Sequence, residues 1–169
     1  MKLSELDALP EAQAAELLEA CCGSTRWIAA MLARRPFGDR ETLFAAAAAS
    51  WQALSPDDWR EAFARHPRIG EARSAMPQGE QGRSWSAGEQ GAVSSAEGPV
   101  RQALAAANRE YERRFGFIYV ACATGKSAEA LLDLLRRRLR NSQEQELGVA
   151  AAEQQKITRL RLAKLLAEH

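Results

Sequence analysis

Apolar and polar positions alternate with a helical period along most of the chain. Over residues 10–22 the apolar side chains recur at three- and four-residue spacing and the run stops at Gly23. Ser24 is placed to cap a second helix carrying Trp27, Ile28, Met31 and Leu32, which must end before Pro36. Residues 41–54 repeat the pattern. Ser55-Pro56-Asp57-Asp58 is a start signal: serine serves as N-cap, proline fits the first turn, and the aspartates suit the positive end of the helix dipole. That helix carries Trp59 and Phe63 and ends near His66, because Pro67 disfavours helix in the residue before it. A further helix is predicted from Ser84 or Ser86, another over 99–114, one capped by Ser127 and running through Arg140, and a last one from about Ser142 onward. Between them Phe115-Gly116-Phe117-Ile118-Tyr119-Val120-Ala121-Cys122 breaks the period and is expected to be extended, buried or both.

Composition supports the helical assignment. Alanine and leucine dominate, whereas valine, isoleucine, threonine and tyrosine are scarce. The 169 residues suffice for one domain with a substantial core. Six of the eleven glycines fall at 70, 79, 82, 88, 91 and 98, so the helical pattern is interrupted there. The expected architecture is all-α: a compact single-domain bundle of about eight helices over 1–169, with a Gly-rich loop near 70–83. A loop of that length in a compact domain is often functional.

Charge and residue counts then exclude several classes. Lys and Arg total 23 against 22 Asp and Glu, a formal charge of +1, which argues against gripping nucleic acid or an anionic membrane. No apolar run approaches the roughly 18 residues of a membrane span. The start of the chain lacks the apolar core of a signal peptide, and its last residues form no peroxisomal tripeptide. Three cysteines without a pairing pattern point to reduced thiols and a cytoplasmic setting. Of the two histidines, His169 is terminal, so His66 is the one internal imidazole; no usual zinc site can be built on it.

Three positions stand out chemically. His66 sits where a helix ends and the Gly-rich segment begins; it is either a dipole-compensating helix end or an acid–base group titrating near neutrality. Glu89 either closes a capping box with Ser86 or, if the helix starts earlier, faces the core four residues from Trp85 and Val93 and needs a partner. Arg161 shares a helix face with Ile157 and Leu165, so it either snorkels or pairs with an anion, from Glu89 or from a ligand. The run Arg136-Arg137-Arg138-Leu139-Arg140 is expected to be a solvated helix end, and Trp27, Trp51, Trp59 and Phe63 are expected in the core.

Four segments together carry a resemblance. His66-Pro67-Arg68-Ile69-Gly70, Ser86-x-x-Glu89-Gln90, Asn108-x-x-Tyr111-x-x-x-Phe115-Gly116-Phe117-Ile118-Tyr119-Val120 and Ile157-x-x-Leu160-Arg161-Leu162 resemble, in order and distance, the OHCU decarboxylase family. Those enzymes act on 2-oxo-4-hydroxy-4-carboxy-5-ureidoimidazoline (OHCU), the last intermediate between urate and (S)-allantoin. The resemblance spans nearly the whole chain. It implies an all-helical fold, no metal or organic cofactor, a small-molecule substrate and a homodimer. His66 matches the catalytic histidine and Glu89 the essential acid. Arg161, Ser86 and Gln90 match substrate-contacting positions, Pro67 a pocket wall, and Phe117, Ile118 and Tyr119 the segment whose backbone meets the ring and ureido amides. Two alternatives from other classes are a helical interaction module without chemistry and a cofactor-free hydrolase of a ureido compound.

Overall fold

The computed structural model describes residues 1–70 and 79–167. Among these the chain forms ten helices and no strand: α1 (Leu3–Ala8), α2 (Glu11–Cys21), α3 (Thr25–Leu32), α4 (Arg40–Gln52), α5 (Pro56–Ala64), α6 (Glu80–Glu89), α7 (Gly91–Ser94), α8 (Gly98–Phe115), α9 (Ala128–Arg138) and α10 (Gln143–Ala167). The eight predicted helices are all present, with ends displaced by a few residues. The predicted caps operate: Ser24 accepts from the amide of Trp27 at 3.4 Å and Ser127 from that of Ala130 at 3.1 Å, while Ser55 and Asp58 form a capping box. At its C-terminus α8 stops on Gly116, whose φ of +76° is a conformation that favours glycine.

The two additional helices are the short ones, α1 and α7. One buried leucine, Leu6, is too little for a period to register in α1. Tertiary bonds hold that helix instead: the Asp7 carboxylate accepts from the amides of Phe37 (2.9 Å) and Gly38 (3.0 Å), and Arg35 donates to the carbonyls of Asp7 and Leu9. A third difference matters for function. The helix expected from Ser84 or Ser86 already begins at Glu80, which shortens the predicted 70–83 loop; residues 71–78 lie outside the described part of the chain. Its buried face is Gly82, Trp85 and Ser86, and glycine contributes nothing to an apolar pattern, so the first turn was invisible to periodicity.

The 25-residue α10, about 37 Å long, packs on α2, α4 and α5. Around it α2 meets α3 and α6, α3 meets α4 and α5, and α8 meets α9. Trp27, Trp51 and Phe63 are buried as expected, and Trp59 is half-buried against Trp51, ring centroids 6.0 Å apart. All three cysteines are buried and unbridged. No helix among the described residues is long and apolar enough to cross a membrane.

Residues 117–123 are buried yet not helical, so their backbone groups need partners from elsewhere. Side chains supply several. Arg138 Nη1 donates to the Val120 carbonyl at 2.7 Å, Lys126 Nζ to that of Cys122 at 2.8 Å, and the Cys122 amide donates to Glu153 Oε2 at 2.8 Å. This corrects the expectation that the 136–140 run is wholly solvated. Arg136 is exposed, but Arg138 is 4% exposed because it lies seven residues from Leu131 and three from Leu135, on the buried face of α9. Its guanidinium stands 4.8 Å from the Tyr119 ring and grips one oxygen of the fully buried Glu146 through Nε (2.7 Å) and Nη2 (2.5 Å). The Tyr111 hydroxyl donates to the same carboxylate oxygen, and Asn141 donates to the other at 2.9 Å. Removing one member strands a buried charge. Glu146→Ala is therefore expected to destabilise the protein by about 3–5 kcal/mol in urea unfolding, whereas Arg136→Ala leaves the midpoint essentially unchanged.

Candidate active site

His66 leaves α5 one residue after its C-cap, with its amide donating to the Phe63 carbonyl at 3.0 Å. Pro67 turns the chain, and the following residues are clamped onto neighbouring elements. Arg68 pairs side-on with Glu112 of α8 (2.8 and 2.9 Å), and Asn108 Nδ2 donates to the Ile69 carbonyl at 2.9 Å. The Gly70 amide donates to Gln90 Oε1 at 2.9 Å. Gly70 has φ +93°, which explains a glycine at the end of this motif. Three contacts thus fix the segment that carries the imidazole.

The ring borders a cavity whose wall includes Pro67, Ile69, Ser86, Glu89, Gln90, Tyr119, Val120, Ala121, Ala123 and Ile157. Six of the nine sequence-predicted site residues meet there: His66, Pro67, Ser86, Glu89, Gln90 and Tyr119. Phe117 and Ile118 are buried, but neither belongs to this wall, and the Phe117 ring packs on Phe63 at 5.4 Å between centroids. Arg161 stands beside the wall, and with His66, Glu19, Arg65, Ala20, Gly23, Gly79 and Gly82 it lines an adjoining cavity.

Arg161 is 3% exposed, so the snorkelling alternative fails. Its Nε and Nη2 donate side-on to Glu89 (3.1 and 2.9 Å), Nη2 also to Ser86 Oγ (2.9 Å), and Nη1 to the Ala20 carbonyl (3.0 Å). A guanidinium has five N–H donors, so these bonds leave one, on Nη1. Glu89 also receives a bond from Lys164 Nζ at 3.4 Å. The capping-box alternative for Ser86 and Glu89 fails too, because Ser86 lies inside α6 and Glu89 ends it. Burial raises the Glu89 pKa, but the bonds and charge of Arg161, then the charges of Lys164 and His66, outweigh it and hold the carboxyl below its ordinary value. Glu89 is a carboxylate at neutral pH.

The His66 pKa is lowered as well, but for an imidazole that shift favours the uncharged form. Burial and then the Arg161 charge depress its pKa from 6.5 to about 4, against the Gln154 bond and the Glu89 charge. The imidazole is neutral at pH 7 and able to accept a proton. Its Nε2 lies 2.6 Å from Gln154 Oε1. Gln154 is fully buried on α10, seven residues before Arg161 and three before Ile157, hence on the same face. Sequence reasoning did not single it out, although a polar residue in phase with Ile157 and Arg161 carried the same signal that exposed the arginine. The same wall carries backbone donors: among the described residues, no acceptor pairs with the amides of Tyr119, Val120 and Ala121. No group of three or more His, Cys, Asp or Glu among the described residues is arranged to hold a metal ion.

The chain is similar to known proteins in sequence and in fold. A family model described as OHCU decarboxylase matches residues 7–163. The uric acid degradation bifunctional protein TTL of Arabidopsis thaliana is 34% identical over 148 residues, 88% of this chain and 46% of that protein, so the chain spans about half its length. A crystal structure of an OHCU decarboxylase in the presence of (S)-allantoin superposes with a TM-score of 0.78 at 32% identity, covering 90% of this chain and 99% of that one. An (S)-allantoin synthase structure shares the fold at TM-score 0.69 and 20% identity, over 97% of this chain and 54% of that one.

The depressed histidine pKa has a measurable consequence. The unfolded chain binds the His66 proton below pH 6.5 and the folded chain only near pH 4, so this group's contribution to stability is lost as pH falls through that window. With two histidines in the chain, NMR titration should show one imidazole still neutral at pH 5.5. Two ordinary titrations near 6.5 would contradict the assignment.

Proposed function

Because the chain belongs to the OHCU decarboxylase family, we propose that it converts OHCU to (S)-allantoin and CO2, the last step from urate to allantoin, without a metal or organic cofactor. The observation that carries this reading is the meeting of a neutral histidine, an arginine-bound carboxylate and a wall of unclaimed backbone amides around one cavity.

The substrate supplies its own electron sink. One ring carbon bears both the carboxylate and a hydroxyl, and the neighbouring carbon belongs to a ring C=N. When the bond to the carboxylate breaks, CO2 leaves and the electron pair moves toward the C=N, whose nitrogen takes a proton. The hydroxyl then gives up its proton and becomes the product carbonyl, while the neighbouring carbon is protonated on one face. Starting from the carboxylate, one proton is taken up overall.

In this reading His66, neutral at working pH, accepts the hydroxyl proton. Glu89, charge-balanced by Arg161 and Lys164, orients substrate N–H or O–H groups without leaving a bare anion beside the substrate carboxylate. Arg161 offers its remaining Nη1–H to a substrate carbonyl or carboxylate oxygen. Ser86, Gln90 and the Pro67 ring shape the pocket, and of the 117–119 segment the Tyr119 backbone, on the cavity wall, meets the ring and ureido groups. We further propose a cytoplasmic homodimer.

Freshly generated OHCU, followed by circular dichroism, tests the reaction. The expected outcome is (S)-allantoin with CO2 release; ammonia release would identify a hydrolase instead. His66→Asn is expected to remain folded and to lower kcat/KM on the order of 10²–10⁴-fold. Near-normal turnover by that folded variant would overturn the assignment. Sedimentation equilibrium should give twice the 18.6 kDa chain mass, and a single-chain mass would rule out the homodimer.

A further inference from the structure

Gln154 is an unusual residue to find without solvent contact on the longest helix. A buried amide is costly unless both its ends are paired, and here both are. Its Nε2 donates to Thr158 Oγ1 at 3.2 Å, and its Oε1 lies 2.6 Å from His66 Nε2. The Thr158 hydroxyl donates its one proton to the Gln154 carbonyl at 3.0 Å, one turn back along α10. That leaves only lone pairs on Thr158 Oγ1 for the Gln154 side chain, so the amide must present its NH2 to threonine and its oxygen to the imidazole. An amide oxygen can only accept, which makes His66 Nε2 the protonated nitrogen.

We propose that Gln154 is a positioning residue that holds His66 as the Nε2–H tautomer, leaving Nδ1 as the one ring lone pair able to take the substrate proton. The catalytic half of this statement rests on the decarboxylase reading above; the tautomer half does not. No group among the described residues bonds Nδ1, so the lone pair is left free. The charged groups around the ring are consistent with a neutral base. Arg161 of α10 opposes a second proton, Glu89 of α6 faces the ring bound to Arg161, and Glu19 of α2 and Arg65, beside His66, are paired with each other at 2.7 Å. The Gln154–Thr158 pair therefore fixes through hydrogen bonding what a triad carboxylate fixes through charge, the choice of nitrogen, without drawing the imidazole toward its cation.

The test is the imidazole 15N spectrum of the ligand-free protein at pH 7, with the His66 signals assigned by their loss in His66→Asn. The expected result is a protonated Nε2 and an unprotonated Nδ1. Gln154→Met keeps the volume and removes the acceptor, so the proton should redistribute between the two nitrogens. Its kcat should fall roughly 10–100-fold, as for other partners that orient a reacting imidazole, with KM within about twofold. Gln154→Glu retains an acceptor and adds a negative charge, so it should keep the Nε2–H tautomer and shift the acidic limb of the rate profile to higher pH. A protonated Nδ1 in the wild-type protein, or an unchanged tautomer in Gln154→Met, would overturn the proposal. A Gln154→Met loss seen only in KM or in melting temperature would overturn its catalytic half. Because the spectrum is recorded without substrate, failure of the wild-type protein to act on OHCU would count against the decarboxylase reading alone.

Discussion

A guanidinium shut away from water on the inner face of α10 is the constraint from which the site follows. Left alone, that charge would cost more than the burial of its neighbours gains, so the chain must bring an anion and several acceptors to it. Glu89 arrives from the end of α6, Ser86 from one turn earlier, and the Ala20 carbonyl from the last turn of α2. These contacts set where α6 and α2 lie against α10, and the space between them becomes the cavity at the edge of which His66 stands. The ion pair is thus both an architectural joint and the polar face of the pocket, and the imidazole is kept neutral partly by the positive side of that pair.

A second buried arginine organises the other wall. Arg138 does for residues 117–123 what the helical ladder does elsewhere, supplying a donor to a carbonyl that has no backbone partner among the described residues. Its own charge is met by Glu146, and its face lies against the Tyr119 ring. Glu153 accepts from the Cys122 amide. An irregular segment held in this way can keep its remaining amides for a ligand, because it is fixed by side chains rather than by pairing with another strand.

Much of this was legible in the sequence, and the limits have physical causes. Helix positions followed from apolar spacing, caps and prolines, since these act locally. His66, Glu89 and Arg161 stood out because each sits where polarity breaks a pattern. The first turn of α6 is not legible in the sequence because glycine is silent in a hydropathy pattern, yet Gly82 is part of its packed face. Arg138 is masked by its solvated neighbours in the basic run, although its distance from Leu131 and Leu135 places it inward. The burial of Gln154 is legible in its phase with Ile157 and Arg161, but its role is not, because that depends on His66, 88 residues away, and no local spacing reveals a partner at that distance. The roles of Phe117 and Ile118 were expected on the backbone, and their side chains turn out to be core.

The placement of Gln154, Ile157, Thr158 and Arg161 on one stretch of α10 gives that stretch a fixed rotational register. Each residue along a helix advances the side chain by about 100°. A single-residue insertion or deletion between Gln154 and Arg161 would leave composition and helical propensity almost untouched, yet would turn Gln154 away from His66 whenever Arg161 still met Glu89. Substitutions on the outer face of this helix leave that register intact, whereas a change of length within 154–161 does not, so the interval between these side chains is as much a part of the site as the side chains themselves.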